Sequence, residues 1–287
     1  MAFPSTMKGE GPILETLGKI LTDEYFDAVE VTHINDPNVR EQAKSLLGQS
    51  HMTVCYGAQP RLLSSGLNPN SPDESARAKA EEVLMDSVDE AKYLGAGGMS
   101  FLSGKWDEAH KDECYAKLLK TTVNVCRYAL EKGINVELEA FDYDFDKASL
   151  IGPAPYAAKF AAEVRCECAN FGLLADLSHF PQTYETPNFA LSFMKPYITH
   201  LHIGNVVMAE GAVARGDVHP RFAFPRGMND IPEVLDFLRV CKRERLLREY
   251  EPTVLSFEVK PWENEDPYIV IVNAKRVLNR AWAMLED

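Results

Sequence analysis

The chain has no apolar run approaching the roughly 18 residues of a membrane-spanning helix, no CxxC pair, no basic tract and no glycine-rich nucleotide fingerprint. Each absence removes a class of protein. No basic-then-apolar leader opens the sequence either, so a soluble, cytoplasmic protein is expected. The six cysteines (Cys55, Cys114, Cys126, Cys166, Cys168 and Cys241) lack metal-finger spacing, and a chain of 287 residues can bury a core without a disulfide framework. Reduced thiols are expected. Thirty Lys and Arg stand against 43 Asp and Glu, a formal net charge of -13. Phosphate binding rests on clustered bases, so neither nucleic acid nor an anionic membrane surface is expected as a partner. The one basic cluster, Lys242-Arg243-Glu244-Arg245, is interrupted by an acid and reads as a solvated helix face.

What the sequence does contain is alternation. Strand patterns at 28–33, 52–56, 99–102, 134–139, 173–176, 198–203 and 254–258, with a short first strand at 2–5, are separated by stretches of helical period. Those helices are predicted at 13–25, 38–47, 73–94, 113–132, 155–170, 188–195, 231–247 and 267–284, the fourth stopped by Gly133. Residues 59–72 and 204–227 read as long connections. About eight strand–helix units imply a parallel sheet, because parallel neighbours need crossover helices. The expected fold is a (β/α)8 TIM barrel, an eight-stranded parallel barrel with outer helices, occupying residues 1–287 as one domain.

In such a barrel the chemistry sits at the C-terminal ends of the strands. Four consecutive strands end in Glu139, Asp176, His202 and Glu258. One acid at a strand end is commonly the next helix's N-cap, and carries little alone. Three carboxylates converging on one mouth repel each other unless a cation lies among them, and an imidazole completes a ligand set. Oxygen in excess over nitrogen suits Mn²⁺ first, with Mg²⁺, Co²⁺ or Zn²⁺ as alternatives. Such an ion polarises a carbonyl and its adjacent hydroxyl while a carboxylate removes the proton alpha to it, giving an enediolate.

Other residues are weighed against blander duties. Glu137 shares the parity of Glu139 one layer deeper and is read as the partner of a buried base; His200 stands in the same relation to His202. His179, just past Asp176, is a candidate for contact with substrate or with a bound water. Asp217-Val218-His219 is a common surface sequence that here lies in the long connection over the mouth, which makes His219 a candidate substrate contact. Arg221 and Arg226 are candidates for holding an oxyanion, Lys260 for binding substrate and Trp262 for stacking on a sugar face. His33, His51 and His110 are read as structural or solvated.

At Val136-Glu137-Leu138-Glu139, Ala175-Asp176-Leu177-Ser178-His179, Thr199-His200-Leu201-His202-Ile203-Gly204, Gly216-Asp217-Val218-His219-Pro220 and Ser256-Phe257-Glu258 the chain resembles the xylose isomerase-like TIM barrels, the sugar phosphate isomerase/epimerase group. Resemblance to the ketose 3-epimerases implies one divalent ion on Glu139, Asp176, His202 and Glu258. It also implies Glu139 and Glu258 as the acid/base pair across the substrate's two faces, and His179 as a substrate contact. The epimerases' Glu-x-x-Asn-Arg stretch is Glu139-Ala140-Phe141-Asp142-Tyr143 here, which argues against a free ketohexose. A second resemblance is to lyases acting on 3-oxo sugars, including the catalytic subunits of C-glycoside deglycosidases and oxo-sugar acid decarboxylases. It implies the same ligands and, for the deglycosidases, a small second subunit. Apurinic-site endonucleases share the positions of Glu139, Asp176, His179, His202, Asp217, His219 and Glu258 but have histidines on two early strands that this chain lacks. The expectation is a metal-dependent sugar isomerase/epimerase, a 3-oxo-sugar lyase second, with a small sugar or keto-sugar as partner and a homo-oligomeric assembly.

Overall fold

Pro4 decides the first departure from the expected eight strands. Its ring fixes φ and removes a donor, and Pro4–Thr6 forms a single 3₁₀ turn, followed by a turn in which the Gly9 N–H donates to the Thr6 carbonyl at 3.0 Å. Seven strands, not eight, are found among the described residues, which in this computed structural model are 1–285. The chain divides into two compact units, Ser5–Glu139 with Phe160–Gly172, and Met1–Pro4 with Ala140–Lys159 and everything from Leu173 onward.

In the first unit the order is α1 (Ile13–Leu21), β1 (Ala28–Val31), α2 (Pro37–Ser50), β2 (Thr53–Gly57), α3 (Gln59–Ser65), α4 (Glu74–Leu94), β3 (Gly98–Leu102), α5 (Lys111–Glu131) and β4 (Asn135–Glu139). Each strand runs parallel to the next, with Val29 opposite Val54, Cys55 opposite Gly98 and Ser100 opposite Glu137. Asp36 and Asp73 start α2 and α4 by accepting the N–H groups two and three residues on. Gly95, at φ +83°, ends α4 in the left-handed conformation that glycine adopts without strain. The connection at 59–72 is not all loop: Pro60 at the start and Gly66 at φ +61° bracket α3.

Two elements cross from one unit to the other, α6 (Ala154–Arg165) and β5 (Phe171–Asp176). Helix α6 ends five residues before the position expected from periodicity. The reason is Asn170, whose side-chain amide donates to the carbonyls of Cys126 (2.9 Å) and Ile134 (3.1 Å) and so draws the chain out of the helix. Around it Phe160 is fully buried, edge-on to Tyr115 at 5.5 Å and to Phe171 at 6.0 Å.

The second unit continues with α7 (His179–Gln182), α8 (Pro187–Met194), β6 (Ile198–Gly204), α9 (Ile231–Arg243), β7 (Val254–Glu258) and α10 (Pro267–Ala283). Strand β6 is parallel to both neighbours: Asp176 lies opposite His202, and Gly204 opposite Glu258. Glu233 folds back on the Asp230 N–H at 2.9 Å to start α9, and Asp266 caps α10 ahead of Pro267. No helix among the described residues is long and apolar enough to cross a membrane. The six cysteines are free thiols.

Candidate metal centre

Parallel pairing places three strand ends side by side in the second unit. Asp176, His202 and Glu258 have ligand atoms within 4.8 Å of one another. Asp176 is 1% exposed; its Oδ1 accepts the Ser178 N–H at 2.7 Å, while its Oδ2 is buried with no hydrogen-bond partner. Buried polar atoms are nearly always paired, and an unpaired charged oxygen is the costliest kind to leave so. His179 Nε2 at 3.9 Å and His219 Nδ1 at 3.8 Å flank that oxygen beyond hydrogen-bond reach. The ligand atoms of Asp176, His202 and Glu258, within 4.8 Å of one another, are close enough to share one ion, which would satisfy that oxygen. The donor set fits a divalent ion.

His202 Nδ1 lies 2.6 Å from Glu258 Oε2, and Glu258 Oε1 is 3.8 Å from His219 Nε2. Burial raises the carboxyl of Asp176, helped by the charge of Glu258 and opposed by the three imidazoles. Burial also pulls Glu258 upward, but His219 and His202 outweigh it and hold the group well below the usual carboxylate range. His200, one layer down, is within 3.0 Å of Ser256 Oγ and edge-on to His202.

A second cluster shares Asp176. Asp217 Oδ1 receives His179 Nε2 at 3.1 Å and the Gln182 amide at 3.0 Å, and His219 Nε2 approaches it at 2.9 Å, too obliquely for a hydrogen bond. His179 Nδ1 is fixed by the Ala140 carbonyl at 2.9 Å and the ring packs against Phe141. Burial opposes the charge on Asp217, yet His219 and His179 hold its carboxyl far below normal. Burial likewise opposes protonation of His219, and Asp217 and Glu258 overcome it, lifting it to about 9. His219 takes φ +53°, a conformation rare outside glycine, held by the Lys260 N–H on its carbonyl at 2.7 Å.

The remaining sequence candidates have these surroundings. Glu139 ends β4 in the first unit, 2% exposed, and its Oε2 accepts from the Gln59 amide at 2.8 Å. Arg221 is committed to Glu265 (2.8 Å) and to the carbonyls of Phe222 and Ala223, which orders its own loop. Arg226 is exposed at φ +63°. Trp262 packs on Phe224 at 6.0 Å within a small apolar cluster around Val207 and Ala214. Sequence reasoning missed Ser178, Gln182 and Lys147. Gln182 was within reach, because it follows His179 by three residues and so shares a helical face with it. Lys147 lies in a stretch with no periodic signal.

Gly204 explains how closely β6 and β7 meet at this point. A Cβ there would stand 2.6 Å from the Glu258 carbonyl oxygen and 3.1 Å from His219 Nδ1. Gly204→Ala is therefore expected to cost about 1–3 kcal/mol of stability, the usual range for overpacking. It is also expected to displace Glu258 and His219 together. Chemical denaturation and bound-ion content check this against Gly18→Ala, where a Cβ meets nothing; equal effects of the two would refute it.

With that geometry in place, comparison with known proteins is direct. The model of the xylose isomerase-like TIM barrel matches residues 22–252. The chain belongs to that family. No curated protein matches the sequence. Among solved structures this xylose isomerase-like barrel is similar to a D-psicose 3-epimerase with D-tagatose from Clostridium cellulolyticum H10, at 17% identity, covering 97% of this chain and 96% of that one, with a TM-score of 0.71. It is similar to the IOLI protein with a binding zinc atom, at 14% identity, 99% and 97% coverage and a TM-score of 0.73. It is similar as well to a 3-keto-D-glucoside 4-epimerase from E. coli, at 13% identity, 96% and 95% coverage and a TM-score of 0.63. At such identities the likeness establishes the TIM barrel fold. The deglycosidase resemblance rests on the sequence motifs alone.

Proposed function

We propose that this chain is a divalent-metal-dependent sugar isomerase or epimerase that moves a proton on and off the carbon next to a sugar carbonyl. The observation that carries the reading is the buried, unpartnered Oδ2 of Asp176 beside His202 and Glu258. In this proposal Glu139, from the end of β4, is the fourth ligand, and the ion is Mn²⁺ ahead of Mg²⁺, Co²⁺ and Zn²⁺ because three of four ligands are carboxylates. When bound, the ion would supply Lewis-acid polarisation of the carbonyl and its neighbouring hydroxyl.

The chain's own residues do the rest. Glu258, held as a carboxylate with one oxygen against His202, is poised to accept a proton; Glu139 is its counterpart for the other face of the substrate. His179, locked at both ring nitrogens, presents a fixed edge to substrate and is assigned to orient it. His219 is assigned to substrate beside it. Arg226 and Lys260 are the proposed substrate cations, Trp262 the stacking surface, and Arg221 acts by ordering the loop that carries Arg226. The family neighbours named for ketose and 3-keto-glucoside epimerisation support a keto-sugar as the substrate class. A 3-oxo-sugar lyase would draw on the same groups and is the second reading.

The test is isotopic. The Mn²⁺-loaded protein is incubated in D₂O with free ketoses and, separately, with 3-oxo glycosides, and the carbon-bound deuterium is read by NMR. Metal-dependent incorporation at the carbon alpha to the carbonyl is expected. Release of a fragment or CO₂ would shift the assignment to the lyase, and neither incorporation nor cleavage with any keto-sugar would overturn the proposal.

A further inference from the structure

Two candidate ion groups overlap at Asp176. One joins Asp176 to His202 and Glu258; the other joins it to His179 and His219, with Asp217 in contact with both imidazoles. The second group already faces a cation. Lys147 places its ammonium 2.8 Å from Asp217 Oδ2 and 3.4 Å from Asp146 Oδ2, with its side chain only 22% exposed.

That placement is built into the backbone. The Asp142 carboxylate, on a fully buried residue, accepts the N–H groups of Phe145 (2.6 Å), Asp146 (2.7 Å), Lys147 (2.7 Å) and Ala148 (3.2 Å). Four bonds to one carboxylate wind residues 145–148 around it, and from there the Lys147 ammonium reaches Asp217. Asp146 Oδ2 then accepts the Asp217 N–H at 2.9 Å, so the two loops hold each other from both sides.

We propose that Lys147 is the resident cation of the Asp217 cluster, its ammonium on Asp217 Oδ2 opposing a second metal ion against Asp176, His179 and His219, so that the chain holds one ion. This rests on the proposed metal-dependent function. With the ammonium on Asp217, a divalent ion entering against Asp176, His179 and His219 would meet a nearby positive charge and a His179 ring already held by Asp217. Lys147 is on this account a positioning residue, acting through Asp217.

The experiment counts ions. Protein stripped of metal is loaded with Zn²⁺ alone, and ions per folded chain are read by native mass spectrometry, with affinities from calorimetric titration. Wild type is expected to hold one ion tightly. Lys147→Met should hold two, the second bound at least about tenfold more tightly than any second ion in wild type, and Lys147→Arg should return to one. Lys147→Gln serves where the methionine variant does not fold. A wild type holding two ions of similar affinity, or neutral variants that stay at one, would sink this inference while leaving the metal-dependent function standing. A wild type that takes no ion overturns the proposed function itself.

Discussion

Asp176→Asn is expected to strip the divalent ion from the protein and lower keto-sugar proton exchange by roughly 10²–10⁴-fold, the rate equivalent of losing about 3–5 kcal/mol of metal-ion catalysis. The substitution is nearly isosteric. The amide oxygen can still accept the Ser178 N–H, so local geometry survives. What is lost is the charge on the oxygen that has no hydrogen-bond partner. The same change should raise the melting temperature of the metal-free protein, because a buried charge whose ionised form is disfavoured by burial is removed. It should lower that of the metal-loaded protein toward the metal-free value. Elemental analysis and paired thermal melts read both effects. A variant that keeps its ion and its turnover would remove Asp176 from the site.

The second large effect is expected at a residue that touches no substrate. Asp142→Ala leaves four backbone N–H groups of residues 145–148 without their acceptor. Hydrogen bonds to a charged group contribute about 1.5–3 kcal/mol each, and water can replace some of them where the loop is open. A net loss of about 3 kcal/mol is therefore expected from denaturant unfolding. Freed of its template, the loop releases Lys147 from Asp217, so the alanine variant should also gain affinity for a second ion, as Lys147→Met does. Asp142→Asn retains an acceptor oxygen and should fall between the two. Stability unchanged within about 0.5 kcal/mol, the scale of an ordinary surface substitution, would show that the loop is held by something else.

The strand ends were the readable part of the site. Asp176, His202 and Glu258 each close a short apolar run between helices, and in a parallel barrel the strand ends share one mouth. Their pairing, Asp176 opposite His202 and Gly204 opposite Glu258, follows once the strands are in register. The helix limits were readable wherever an aspartate cap and a proline coincide, as at Asp36-Pro37 and Asp266-Pro267. Helix α3 carried its own signals in Pro60 and Gly66, but its polar composition resembled a loop. The first expected strand failed on Pro4, a residue that takes one donor away from any ladder.

Loops gave far less. Arg221 appeared available for substrate, and Glu265, 44 residues away, holds it instead. Lys147 and Asp217 are 70 residues apart in a chain whose intervening stretch is mostly helix and strand, and no local pattern foretells their contact. Local rules govern where elements begin and end. They do not govern which loop meets which.

The mutual hold between residues 145–148 and Asp217 has a consequence for redesign. The two connections form one mechanical part, since each supplies the other's anchor: Asp146 receives the Asp217 N–H, and Lys147 the Asp217 carboxylate. Grafting either segment alone from a relative leaves an unmatched acid or an unmatched amine under the graft. A redesign that reshapes one segment therefore has to exchange both together.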